Sequence, residues 1–501
     1  MKHNKIIALL MLSVLILTGC DRSGDSSSSS DSSFESTSET SSEVASSSAE
    51  EIRDSYYRSN NPELTYYDVS RSGEVDSLPS VGNVNLLVIP VIIEGYEANA
   101  TVETRSEIQK AMFGQSEETS WESVASFYHK SSYERLTLTG EVTPWFASGY
   151  SPSDMNYYES RNQDGVALLL EDAINWIRAS QPSIDLTDYD NDADGHLDAV
   201  WMIYSAPSEL SDVFWAFVYW NSRNQNNKNI ANPTPFTYAW ASYDFMYEGY
   251  GTSGIDAHTY IHETGHLLGL DDYYDYDSKT SPMGKIDMMD YNIIDHNGYS
   301  KFALGWTNPY VVTGDADITL LPASSSGQSI LLSAAWNGSP FDEYLLIELY
   351  TPDGLNKKDS QAAYPGNGRR GFTIPGIRMY HVDSRLFDTK SNAYVDDLSV
   401  DGAYVGASNS ASWAYIRDYA SKFKLLHVVD AAKNTRYMSS QLATATDKTL
   451  FTSDMTFSFA DYKTAFARGT SLVMNDGTVF PYSLQFESVT SESASIKIRV
   501  I

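Results

Sequence analysis

Apolar and polar positions divide this 501-residue chain into stretches of different texture. Residues 6–17 form an apolar run broken only by Ser13, and residues 21–50 hold almost nothing apolar. From 84 to 306, strand-like runs alternate with helix-like spacings. The run 84–93 (VNLLVIPVII) predicts a buried strand, with Pro90 arguing for a sheet edge or a bulge. Thr104 is a plausible cap for the helix that follows. Trp121, Val124, Ala125 and Tyr128 repeat at helical spacing. Residues 136–142 alternate as a strand does, 164–178 read as an amphipathic helix, and 199–204 and 236–243 as strands. After Trp306 short alternating runs dominate: 318–321, 344–350, 377–382, 424–429, 484–486 and 494–500. Turn residues separate them, as in a β-sandwich or jelly roll. The expected fold class is α+β, with an α/β-patterned region at 84–310 and a mostly β region at 311–501.

Charge and cysteine usage narrow the field. Against 34 Lys+Arg stand 66 Asp+Glu, a formal net charge of −32. Binding to a nucleic-acid backbone needs a basic footprint, so that class is excluded. A single cysteine excludes a disulfide framework and an all-cysteine metal site.

That cysteine sits in a telling place. Lys2 and Lys5 precede the apolar run, which is too short for a bilayer span of about 20 residues. The sequence Leu17-Thr18-Gly19-Cys20 follows. This resembles the bacterial lipoprotein signal, which implies cleavage after residue 19 and lipidation of Cys20. Losing Lys2 and Lys5 and no acid takes the charge from −32 to about −34. Half of residues 21–50 are serine, so 20–50 reads as a lipidated disordered tether spanning roughly 30 Å. Residues 51–83 read as a linker or propeptide-like segment. The expected location is the extracellular face of a cell membrane, by analogy with Gram-positive lipoproteins.

Residues 261–275 read IHETGHLLGLDDYYD. On a helix, His262 and His266 share a face and present two imidazoles to one metal ion. Glu263 adjoins them, placed to act as a base. Gly269 permits a sharp turn that returns Asp272 as third ligand. Asp271, Asp275 and His296 compete for that place. Two imidazoles and one carboxylate leave a fourth position open, as in a catalytic zinc site.

This stretch resembles the metzincin metallopeptidases, with Asp in place of their third His. It is most similar to the immune inhibitor A family, in His262, Glu263, His266, Gly269, Leu270, Asp272, Tyr274 and Asp275. Residues 123–142, 301–306 and, weakly, 376–383 extend the likeness. Asp271 departs from the proline common there. The resemblance implies a zinc metalloendopeptidase with a methionine turn at Met289, within Met288-Met289-Asp290-Tyr291. Some metzincins use a tyrosine two residues further on, which makes Tyr291 a catalytic candidate; a packed tyrosine is the plain alternative.

Asp190, Asp192, Asp194 and Asp198 occupy positions 1, 3, 5 and 9 of a loop with Gly195 at 6. His196 at position 7 offers a backbone carbonyl. Calcium favours hard oxygens on such a loop, although Trp201 stands where an EF-hand has glutamate. A structural calcium site is expected; a solvated acidic turn is the alternative. The expected partners are polypeptide substrates and, through the anchor, the membrane; a monomer without nucleic acid is expected. Two rivals compete with the peptidase: an inactive peptidase-like surface binding lipoprotein and a non-peptidase zinc hydrolase.

Overall fold

The computed structural model describes residues 55–60, 64–72, 78–161, 164–395, 402–410, 412, 414, 423–467 and 472–501. The expected signal peptide, Cys20 and the tether lie outside the described residues. The apolar run at 84–93 becomes the strand Gly82–Ile92, which organises the first half of the fold. Its sheet runs Leu136–Val142, Gly82–Ile92, Val200–Tyr204, Thr237–Ser242, Phe217–Trp220. Neighbours are parallel except the last pair, which is antiparallel.

Pro90 therefore lies in an interior strand, not at a sheet edge. The carbonyls of Val88 and Ile92 accept from Thr143 and Ser148 on one side of the strand. Pro90 shares their phase and faces that side. There the partner changes from Leu136–Val142 to Phe146–Ala147, so the missing N–H meets a gap in the ladder.

Both faces of this sheet are covered, which is why its strands read as continuous apolar runs. Leu87, Ile89 and Val91 pack with Leu170, Ile174 and Ile177 of the helix Gly165–Ser180. Leu86 and Val88 face the helices Val102–Phe113, Val124–Ser131 and His258–Leu267. Thr101, not Thr104, caps the first of these: its hydroxyl accepts from the Thr104 amide at 3.0 Å. Both threonines suit a cap by type. Backbone geometry decides, since Thr101 is extended and Thr104 already lies within the first turn.

The second half holds a six-stranded sheet and a four-stranded one. The first runs Tyr56–Arg58, Tyr310–Val312, Ser329–Leu332, Glu343–Tyr350, Gly376–Asp383, Leu426–Val428. The second runs Ala316–Leu320, Ala494–Val500, Tyr482–Val489, Met455–Ser458. Ile330, Leu345 and Ile347 of the larger sheet join Ile318, Leu484 and Ile496 of the smaller in one apolar cluster. Alternate residues Leu331, Leu346 and Tyr380 join Phe302 and Trp306 in another.

The segment before the first long strand is built into this arrangement. Tyr56–Arg58 pairs antiparallel with Tyr310–Val312. The Tyr66 and Tyr299 hydroxyls bond at 2.6 Å, and the Leu78 amide donates to the Leu267 carbonyl at 2.7 Å. Residues Asp54–Ile501 make one compact unit of mixed α/β class, with several sheets and, among the described residues, eleven α-helices. No helix among the described residues is long and apolar enough to cross a membrane.

Candidate metal centre

The helix His258–Leu267 ends in a glycine turn that sets the whole site. Gly269 stands at φ +96°, its amide donating to the His266 carbonyl at 2.9 Å and the Leu270 amide to that of Gly265 at 3.0 Å. This 5→2 and 6→1 pair is the Schellman cap, which needs a left-handed residue at that place. The chain reverses there and brings Asp272 back against the helix.

His262 Nε2 lies 2.9 Å from Asp272 Oδ1 and His266 Nε2 lies 3.4 Å from the same oxygen. The imidazoles stand nearly perpendicular, at 83° with centroids 4.9 Å apart. Their other nitrogens are held by main chain: His262 Nδ1 donates to the Met288 carbonyl at 2.9 Å and His266 Nδ1 to that of Leu270 at 2.7 Å. A carbonyl only accepts, so each Nδ1 carries a proton and each Nε2 is directed at the common point. One atom from each of the three residues lies within 4.8 Å of the others. A borderline ion such as zinc takes this N,N,O donor set with a fourth position free. Three of the residues singled out in sequence thus meet at one point.

The electrostatics fit a cation. Burial works against charge on the imidazoles, but Asp272 overrides it and raises both, His266 to about 10. Burial would raise the Asp272 carboxyl, yet the imidazoles hold it well below the usual carboxylate range. A bound cation replaces the Nε2 protons, so binding releases them. Glu263 is buried beside both imidazoles, its carboxyl raised by burial and drawn back by their charge.

Beneath the helix lies the turn Met288–Tyr291. Met289 is fully buried, and a Cβ on Gly265 would stand 2.5 Å from its sulfur. Asp287 caps this turn by accepting from the Met289 amide at 3.0 Å. Tyr291 stands apart from the ligand cluster in its contacts: Lys285 Nζ and Arg369 Cζ lie 5.0 and 4.9 Å from its ring centre. Tyr276 does reach the cluster: its hydroxyl donates to Asp272 Oδ2, and its ring packs at 4.9 Å against Tyr274, which also interacts with Asp272. Only the position of Tyr276, four residues after Asp272, hinted at this.

The competing ligands lie elsewhere. Asp271 is exposed, and Asp275 accepts from Thr280. His296 is buried among Phe127, Tyr128 and Trp306.

In the acidic loop, Asp190, Asp192 and Asp194 bring their carboxylates together. Ala193 and Gly195, at φ +58° and +96°, fold the loop tightly. Asp190 Oδ2 accepts from the Gly195 amide at 3.0 Å, and Asp192 Oδ2 from the Tyr67 hydroxyl at 2.6 Å. Asp198 lies outside the cluster of three and accepts from the Asn191 amide at 2.5 Å. Burial and the charge of Asp192 push its carboxyl up to about 8. The His196 ring turns away, 2.9 Å from the Asn224 carbonyl and stacked on Phe236. Several carboxylates gathered without a matching number of cations suit a hard divalent ion.

Comparison with models of known protein families gives no match, and comparison with curated proteins gives none.

Proposed function

We propose that the protein is a lipid-anchored, zinc-dependent metalloendopeptidase acting on extracellular proteins, with a metzincin-like domain followed by a β-sandwich. The observation that carries this reading is the meeting of His262 Nε2, His266 Nε2 and Asp272 Oδ1 beside the Glu263 carboxylate. A zinc ion held by these residues supplies Lewis acidity towards a peptide carbonyl and towards water. Glu263 would take the proton of the attacking water and deliver it to the departing amine. Met288 and Leu270 keep the imidazoles oriented through their carbonyls. The acidic loop supplies a structural calcium site.

The test is casein cleavage by the purified protein, with metal content measured in parallel. Stoichiometric zinc, activity lost to a chelator and recovered with zinc support the reading. A zinc-loaded protein that cleaves no polypeptide sinks it in favour of the binding lipoprotein or the non-peptidase zinc hydrolase, which a panel of other substrates separates.

A further inference from the structure

Three lysines are buried among the described residues: Lys285, Lys301 and Lys424. Lys301 lies 2.6 Å from Asp295, and Lys424 lies 3.9 Å from Asp275. Lys285 is 8% exposed and has no carboxylate within ion-pair distance among the described residues. A lysine buried to this degree is ordinarily paired.

A second cation adjoins it. Lys285 Nζ and Arg369 Cζ lie 5.0 and 4.9 Å from the centre of the same ring, that of Tyr291. Arg369 also forms no ion pair among the described residues, and its buried Nε has no hydrogen-bond partner. Arg369 Nη1 donates to the Thr444 hydroxyl at 3.4 Å. In a chain with almost twice as many acids as bases, two adjacent cations without a salt-bridged carboxylate among the described residues depart from the general pattern.

The backbone is also committed to this arrangement. Lys285 stands at φ +66°, directly after Gly284 at φ +67°. A long side chain in the left-handed region is strained, and such strain gathers at functional sites. The Lys285 amide is fixed by Asp290 Oδ2 at 2.6 Å.

The patch is tied to the metal centre through the backbone. Tyr291 closes the turn that begins at Met288, whose carbonyl holds His262. Asn367 Nδ2 donates to the Tyr291 carbonyl at 2.7 Å, so the loop bearing Arg369 is tied to the same turn. Tyr291 and Arg369 are both partly exposed.

We propose that Lys285 and Arg369, presented across Tyr291, form a subsite for a carboxylate of the polypeptide substrate. This rests on the peptidase reading and narrows its substrate class. Two cations beside one aromatic face offer charge-assisted bonds to such a group. Burial and the neighbouring guanidinium lower the Lys285 ammonium and the Asp290 carboxylate offsets this only in part, a cost that a further anion would reduce. The loop carrying Arg369 gives the second half of the chain a part in substrate selection.

The test uses full-length protein in detergent and three fluorescent peptides. Two are blocked at both ends and differ only in one Glu or Gln. The third has a free C-terminal carboxylate and no acidic side chain. Binding to metal-stripped protein is read by anisotropy, and cleavage by the zinc-loaded protein separately. The wild type is expected to bind the Glu peptide, or the free-carboxylate peptide, about tenfold more tightly than the Gln peptide. The first outcome assigns a side-chain carboxylate and the second a terminal one. Arg369→Gln and Lys285→Gly are expected to abolish the preference, and Lys285→Arg to keep it. Glycine is the residue best suited to φ +66°, so loss in Lys285→Gly is not a folding effect. Equal binding of all three peptides by the wild type, or a preference that survives both neutral variants, overturns the proposal. Preference without any cleavage removes the peptidase reading alone; cleavage without preference removes the subsite alone.

Discussion

Gly265 and Met289 fit each other so closely that the smallest side chain at 265 would meet sulfur. A Cβ there would lie 2.5 Å from Met289 Sδ and 3.0 Å from Cε. Gly265 adjoins His266, so any shift that relieves the clash moves a ligand. Gly265→Ala should lower stability by about 1–3 kcal/mol, the usual cost of overpacking. It should also weaken zinc binding. Adding Met289→Ala should recover part of both losses, read by thermal melting and chelator competition.

Glu263→Gln should keep zinc and fold but lose peptide cleavage. Removing a general base costs about 10²–10⁴-fold. Turnover within tenfold of wild type, at equal zinc content, would count against the assigned role.

Asp272→Ala removes one of three ligands and should leave the protein with little zinc after dialysis. Tyr276→Phe keeps every ligand but removes the Tyr276 bond to Asp272 Oδ2. Zinc affinity should then fall about 10–100-fold, the range for lost outer partners. Full affinity in Tyr276→Phe would show that the bond does not orient Asp272.

Calcium dependence should vary with pH. Asp198 is raised by burial to about 8 in the folded chain, above the ordinary carboxylate value near ~4. Between these values the folded state holds more protons than the unfolded one, so stability falls as pH rises. The calcium-free protein should therefore lose stability between about pH 4 and pH 8. Calcium should raise the melting temperature more at pH 8.5 than at pH 5. Asp192→Ala combined with Asp194→Ala should remove the calcium response. An unchanged response would return the loop to a solvated turn.

Cys20→Ala should shift the protein from the membrane fraction to the medium, or leave an uncleaved precursor. Mercurials should not activate the wild type if the proposed anchor takes the lone cysteine. A processed Cys20→Ala protein still in the membrane fraction would refute the anchor.

Much of the candidate site was legible because its determinants are local. His262, His266, Gly269 and Asp272 lie within eleven residues, and helix pitch plus one glycine turn fixes their relation. The partners that hold them are remote or of a common type. The carbonyl of Met288 carries no residue signature, and Tyr276 is set apart among 35 tyrosines only by its place four residues after Asp272. Long-range pairing was also hidden. Strand Tyr56–Arg58 meets Tyr310–Val312 across some 250 positions, and three residues give too little alternation to declare a strand. Pro90 misled for a related reason: the gap that accepts it is made by neighbouring strands.

The alternation within Glu343–Tyr350 bears on how the chain can be divided. Leu346 packs with Phe302 and Trp306, whereas Leu345 and Ile347 pack with Ile318 and Ile496. A fragment ending near residue 310 would retain the ligand residues but bare the apolar side that Leu331, Leu346 and Tyr380 cover. Attempts to express such a fragment should yield aggregates. An engineer seeking a smaller version of the chain would have to redesign that uncovered side, not merely choose a stop codon.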